Sequence, residues 1–143
     1  MYSVIEKVIF LQGIDVFKEV RTEDLAYLAA IAHEVTFLPG CEIYHADDSS
    51  DALYLVIDGK VRLHRDEQEI SVIGPTEAIG TWALFDKKPR VATATALEET
   101  KALKVARDDF YDLLSDHVRI AEALLRFLAQ RLRGLLESLN QNM

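Results

Sequence analysis

Apolar positions along this chain change their period twice, near residue 33 and near residue 107. Before the first change they recur three and four residues apart, the spacing of one helical face. The run SVIEKVIFLQG (3–13) predicts a short amphipathic helix. In TEDLAYLAAIA (22–32), Leu25, Leu28, Ala29 and Ala32 share a face behind a capping Thr22 and two acids. Between the changes the chain breaks into short segments of strand character: HEVTFL, CEIYH, DALYLVI, KVRLHR, QEISVI, RVATATA and KALKVA. Pro39-Gly40, Asp58-Gly59 and Gly74-Pro75 punctuate them. Asp58-Gly59, between LYLVI and KVRLH, predicts a hairpin.

After the second change helical spacing returns, first in ARDDFYDLLSD and then in VRIAEALLRFLAQRLRGLLESLN. In the longer run Val118, Ala121, Leu125, Leu128, Leu132, Leu135 and Leu139 form a heptad seam, widened by Leu124, Phe127 and Leu136. Two readings stand: one wide face packed on the strands, or a seam that pairs with a second chain. The whole pattern predicts a mainly β fold with flanking helices. It is an antiparallel β-roll or jelly-roll barrel (about 33–106) with N-terminal helices (about 2–32) and a C-terminal helical pair (about 107–139), in one domain over 1–143.

Charge narrows the partners. Sixteen basic against 24 acidic residues give a formal net charge of −8, which opposes general attraction to nucleic acid or to an anionic membrane. Cys41 is the sole cysteine, so no intrachain disulfide and no cysteine-based metal framework is expected, and a reducing, cytoplasmic setting fits. The 3–13 run is not read as a signal peptide, and no apolar run approaches the roughly 18 residues that span a bilayer. His33, His45, His64 and His117 are scattered without metal-ligand spacing, and Asp47, Asp48 and Asp51 do not build a calcium loop. With no nucleophile elbow and no P-loop signature either, neither a metal site nor an enzyme is expected.

One stretch stands against the acidic background. GTWALFDKKPRVATATA (80–96) gathers Lys87, Lys88 and Arg90 beside a strand-like run. Its parts suit an anion. A short helix starting at Gly80 leaves its first N–H groups unpaired, and a glycine lets backbone approach a ligand closely. Arg90 offers a planar fork for two phosphate oxygens. Val91 and Ala92 follow, where a small residue lets main-chain N–H groups reach the same anion. The plainer reading pairs Arg90 with an acid such as Asp86 and leaves Lys87 and Lys88 as solvated loop residues.

In this order, from about Phe10 to Leu136, the chain resembles the cyclic nucleotide-binding domain family. FLPGCEIYHADDSSDALYLVIDGKVRLH is similar to that family's first half, and GPTEAIGTWALFDKKPRVATATA to its phosphate-binding cassette; DDFYDLLSDH looks like the first helix after the roll. The resemblance implies a regulatory domain that binds a cyclic nucleotide, with cAMP expected ahead of cGMP, and relays it through the C-terminal helices. It implies that Gly80, Arg90, Val91 and Ala92 hold the cyclic phosphate, and that Thr81, Trp82 and Ala83 supply the ribose and cassette-backbone contacts. Arg126, Arg131 and Arg133 are candidates to cap the base by location only.

Four positions depart from the family pattern. Thr81 stands where the family has a ribose-binding glutamate, so a neutral hydroxyl replaces a charged acceptor worth about 1.5–3 kcal/mol. Trp82 replaces a leucine or methionine and either fills space under the cassette or enters the pocket as a stacking platform. Asp47 and Ser50 replace turn glycines, and Asp tolerates the left-handed backbone there. A second function therefore stands beside the first: a degenerate domain without nucleotide, serving dimerisation or docking through Leu125, Leu128, Leu132 and Leu135. The expected partners are the nucleotide, a second copy through the last helix, and a fused or separate effector domain. Direct DNA reading and membrane insertion are not expected.

Overall fold

Ser3 starts the first helix. In the computed structural model, which describes residues 1–141 and leaves Asn142 and Met143 outside, Ser3 Oγ accepts from Glu6 N at 3.1 Å and Glu6 Oε1 accepts from Ser3 N at 3.0 Å. This capping box satisfies two orphan donors at the head of α1, Val4–Gln12. Helix α2 covers Thr22–Ile31. Here Thr22 is not the cap: Arg21 takes that position and makes no side-chain cap bond. The helix is fixed instead by burial of Leu25, Leu28 and Ala29, so packing replaces the predicted cap.

The strands are β1 Ala32–Phe37, β2 Glu42–Tyr44, β3 Ala52–Asp58, β4 Val61–Arg65, β5 Gln68–Ile73, β6 Ala78–Ile79, β7 Thr93–Ala96 and β8 Thr100–Ala106. They form two antiparallel four-stranded sheets, ordered β1-β8-β3-β6 and β2-β7-β4-β5. Strand β3 lies in the first sheet and is covered on both faces. Its Leu53 and Leu55 belong to the core under the helices, while Ala52, Tyr54 and Val56 face the second sheet with Val61 and Ala94. That double burial explains its unbroken apolar run.

The predicted hairpin at Asp58-Gly59 does not form. Strand β3 pairs with β6 and β8, and β4 pairs with β5 and β7, so the chain passes there from one sheet to the other. Gly59 serves a close crossing instead. Its φ is +112°, and a Cβ would lie 2.5 Å from Thr100 Oγ1 and 2.7 Å from Glu99 O. The true hairpin joins β4 to β5 through Asp66, at φ 54°, with no glycine to announce it. The run RVATATA becomes strand only from Thr93, because Arg90 is drawn aside by the acidic loop. Arg90 N donates to Asp48 O and Asp47 N donates to Arg90 O, both at 2.8 Å. Asp47 takes φ 72°, the left-handed turn expected of it.

Helices α3, Arg107–Asp116, and α4, Val118–Gln141, close the fold. The reading of α4 as one wide packed face is corrected. Ile120, Ala123, Leu124 and Phe127 pack inward, whereas Val118, Leu125, Leu132, Leu135, Leu136 and Leu139 are exposed. Arg119 near its start donates to the buried Asp24 of α2 at 2.6 Å, which pins the helix to the N-terminal layer.

Candidate functional site

Gly80 is left-handed, at φ 73°, and caps a four-residue 3-10 turn, Thr81–Leu84. The helix expected at this point is therefore tighter and begins one residue later. Its first intrahelical bond runs from Ala83 N to Gly80 O at 3.0 Å, so the amides of Thr81 and Trp82 have no acceptor within the turn.

Arg90 lies inward, with 6% of its surface exposed. Its Nη2 donates to Ala52 O at 2.7 Å, and its guanidinium carbon stacks 4.0 Å from the centre of the Tyr44 ring. A Cβ on Gly80 would collide with Arg90 Nη1. Asp51 Oδ1 stands 3.9 Å from Nη2 on a mostly exposed side chain, so its screened attraction is small. Arg90 Nε has no hydrogen-bond partner. The plainer pairing with Asp86 does not occur; Asp86 Oδ1 instead accepts from Lys88 N at 3.1 Å. One carbonyl and one ring offset about 1–3 kcal/mol of a desolvation cost of several kcal/mol for a buried guanidinium. Such a group is stabilised by an anion that its free donors can reach.

Burial raises the pKa of Tyr44, with the charge of Arg90 opposing the shift and Tyr54 adding to it. The phenol therefore stays neutral and presents a π-face to the arginine.

The remaining cassette residues separate around Gly80. Thr81 and Trp82 line a groove of about 420 Å³ with Asp15, Glu77, Phe127 and Arg131. Trp82 is 63% exposed, which removes the reading that its indole fills space under the cassette. Ala83 and Ala92 are buried, and Val91 is 83% exposed, with its carbonyl accepting from Arg65 Nη1 at 3.0 Å. Lys87 and Lys88 are exposed loop residues. Of the three arginines proposed by location, Arg131 reaches the groove, 3.8 Å from Asp15 and 5.2 Å from the Phe127 ring centre.

Two residues escaped sequence reasoning. Tyr44 belongs to the second sheet, and nothing in its spacing links it to Arg90. Arg107 did leave a signal, because a cation at the head of a helix opposes the macrodipole. Its Nη1 reaches away from α3 to Ser50 O at 2.6 Å, Ala83 O at 3.1 Å and Asp86 O at 3.2 Å. Among the described residues no group of three His, Cys, Asp or Glu side chains could hold a metal ion. No helix among them is long and apolar enough to cross a membrane.

Comparison with known proteins agrees with this geometry. The family model of the cyclic nucleotide-binding domain matches residues 34–117. A CRP-like cAMP-activated global transcriptional regulator of Mycobacterium tuberculosis is 32% identical over 123 residues, covering 82% of this chain and 55% of that protein. A cyclic AMP receptor protein of Thermus thermophilus is 32% identical over 128 residues, covering 86% of this chain and 59% of that protein. The chain thus spans little more than half the length of these curated relatives. The N-terminal domain of a transcriptional regulator from Streptomyces coelicolor A3(2) superposes with a TM-score of 0.82 at 41% identity, covering 88% of this chain and 94% of the other. The chain belongs to the cyclic nucleotide-binding domain family.

Proposed function

We propose that this chain is a ligand-sensing regulatory module that binds a cyclic nucleotide, cAMP ahead of cGMP, with the cyclic phosphate on Arg90. The observation that carries the reading is the buried Arg90 guanidinium, which lies against Gly80 with its Nε unpartnered. The cAMP named for the two bacterial relatives supports the choice of base.

Binding then follows from the layout. Arg90 lies on one side of Gly80, and Thr81 with Trp82 on the other. A ligand that touches both sides turns the cassette (80–92) about Gly80, with Val91 and Ala92 supplying main-chain donors and Ala83 the cassette floor. Phe127 of α4 shares the groove with Trp82, so this turn displaces α4. The ligand shifts the helix only by its differential affinity for the two positions. Residues 1–143 act as one such unit in the cytoplasm and pass the signal to a fused or separate effector domain. The exposed Leu125, Leu132, Leu135 and Leu139 stripe supports pairing of α4 with a second copy.

Calorimetric titration with cAMP and cGMP, beside Arg90→Ala, tests the reading. Saturable heat in the parent and none in the variant is expected. A folded parent that gives no heat up to millimolar ligand overturns it.

A further inference from the structure

Three consecutive carbonyls at the head of β3 are taken by two arginines. Ser50 O accepts from Arg107 Nη1 at 2.6 Å, Asp51 O from Arg107 N at 2.8 Å, and Ala52 O from Arg90 Nη2 at 2.7 Å. The same segment is tied to the cassette a second time, through Ser50 Oγ donating to Lys88 O at 2.7 Å. The other contacts of Arg107 Nη1 are Ala83 O, in the last half of the 3-10 turn, and Asp86 O, two residues beyond it. Arg107 is also the first residue of α3.

We propose that Arg107 is the positioning residue that couples Arg90 and the cassette to α3. A static role as a cap for the 3-10 turn accounts for Ala83 O and Asp86 O but not for the side-chain bond to Ser50 O, whereas the main-chain bond from Arg107 N to Asp51 O only continues the β3–β8 ladder. The coupling role accounts for all three side-chain bonds. Nη1 carries two hydrogens shared among three carbonyls, so a moving cassette redistributes them without breaking the link. Movement of Arg90 acts on the Ala52 carbonyl and so reaches Ser50 O, two residues before it, which the Arg107 side chain holds. The charge is placed at the end of one helix where its dipole is favourable, yet it is anchored at the start of another where it is not. The ligand-driven part of the proposal rests on the phosphate reading of Arg90; the link between the two arginines does not.

The test is amide hydrogen exchange over Arg107–Asp116 in the full chain, for the parent, Arg90→Met, Arg107→Met and the double variant. Circular dichroism establishes that each is folded. Without ligand, Arg90→Met is expected to shift exchange in α3 by about fivefold or more when Arg107 is present, and by less than about twofold when it is replaced. Equal shifts in the two backgrounds overturn the proposal. With cAMP, the parent is expected to change exchange in α3, whereas Arg107→Met keeps saturable Trp82 emission changes and loses the α3 response. A full α3 response in Arg107→Met also overturns the proposal. If the parent takes up no cAMP, the phosphate reading fails, and the ligand-free comparison alone decides for or against Arg107. Should Arg107→Met not fold, Arg107→Leu takes its place in both comparisons, and an undiminished shift in that background overturns the proposal equally.

Discussion

The guanidinium of Arg90 lies so close to the Cα of Gly80 that a methyl group there would strike Nη1. Gly80 also sits at φ 73°, where a side chain costs about 1–2 kcal/mol. Gly80→Ala is therefore expected to destabilise the fold by about 1–3 kcal/mol in urea unfolding and to displace Arg90. Binding of cAMP should fall with it. An unaltered unfolding midpoint would contradict this close approach of Arg90 to Gly80.

Arg90→Met separates stability from binding. The apolar side chain keeps much of the volume and removes a buried charge whose Nε is unpartnered. Stability is expected to stay within about 1 kcal/mol of the parent or to rise, while nucleotide binding is lost. A large loss of stability would mean that the Ala52 and Tyr44 contacts are the reason for the arginine.

Thr81→Glu places a charged acceptor at the residue proposed to meet the ribose. Calorimetry is expected to find cAMP bound about tenfold tighter or more. An unchanged or weaker affinity would show that Thr81 does not face the ligand.

His45 supplies a pH signature. A hydrogen bond to Glu42, at 3.0 Å, and the negative charge of that carboxylate raise its pKa above the ordinary value of about 6.5. The folded state holds this proton more tightly, so the stabilisation is fully present below the unfolded pKa and fades as pH rises through the folded one. Thermal midpoints measured across that window should converge between parent and His45→Gln at the alkaline end and separate at the acid end.

The exposed stripe of α4 predicts self-association. Light scattering is expected to give the mass of two chains for the parent and of one chain for Leu132→Glu combined with Leu135→Glu. Both residues are more than half exposed, so the substitutions spare the core.

The element order was legible because burial imposes its own period. β3 announced itself through a run apolar on both faces, and α4 through residues spaced three and four apart. Pairing was less legible. Asp58-Gly59 carries hairpin chemistry, yet Gly59 is required by the approach of Thr100, a residue from the far end of the roll. The two-residue strand β6 was missed because Ala78 and Ile79 are too few to show a period. In the site, Arg90 and Gly80 were recoverable from residue type and order. Their contact with Tyr44 and the Ala52 carbonyl was not, since it depends on two sheets closing over one side chain. A main-chain acceptor also leaves no mark in a sequence.

The central claim is that the buried Arg90 guanidinium receives a phosphate, and its own Nε–H reports this most directly. In nitrogen-15 spectra of the arginine side chains, assigned with Arg90→Lys, addition of cAMP should move the Arg90 Nε–H resonance downfield as its unpartnered donor gains a charged acceptor, with saturation matching calorimetry. An Arg90 signal that stays in place while ligand binds elsewhere, or while none binds, would contradict the account.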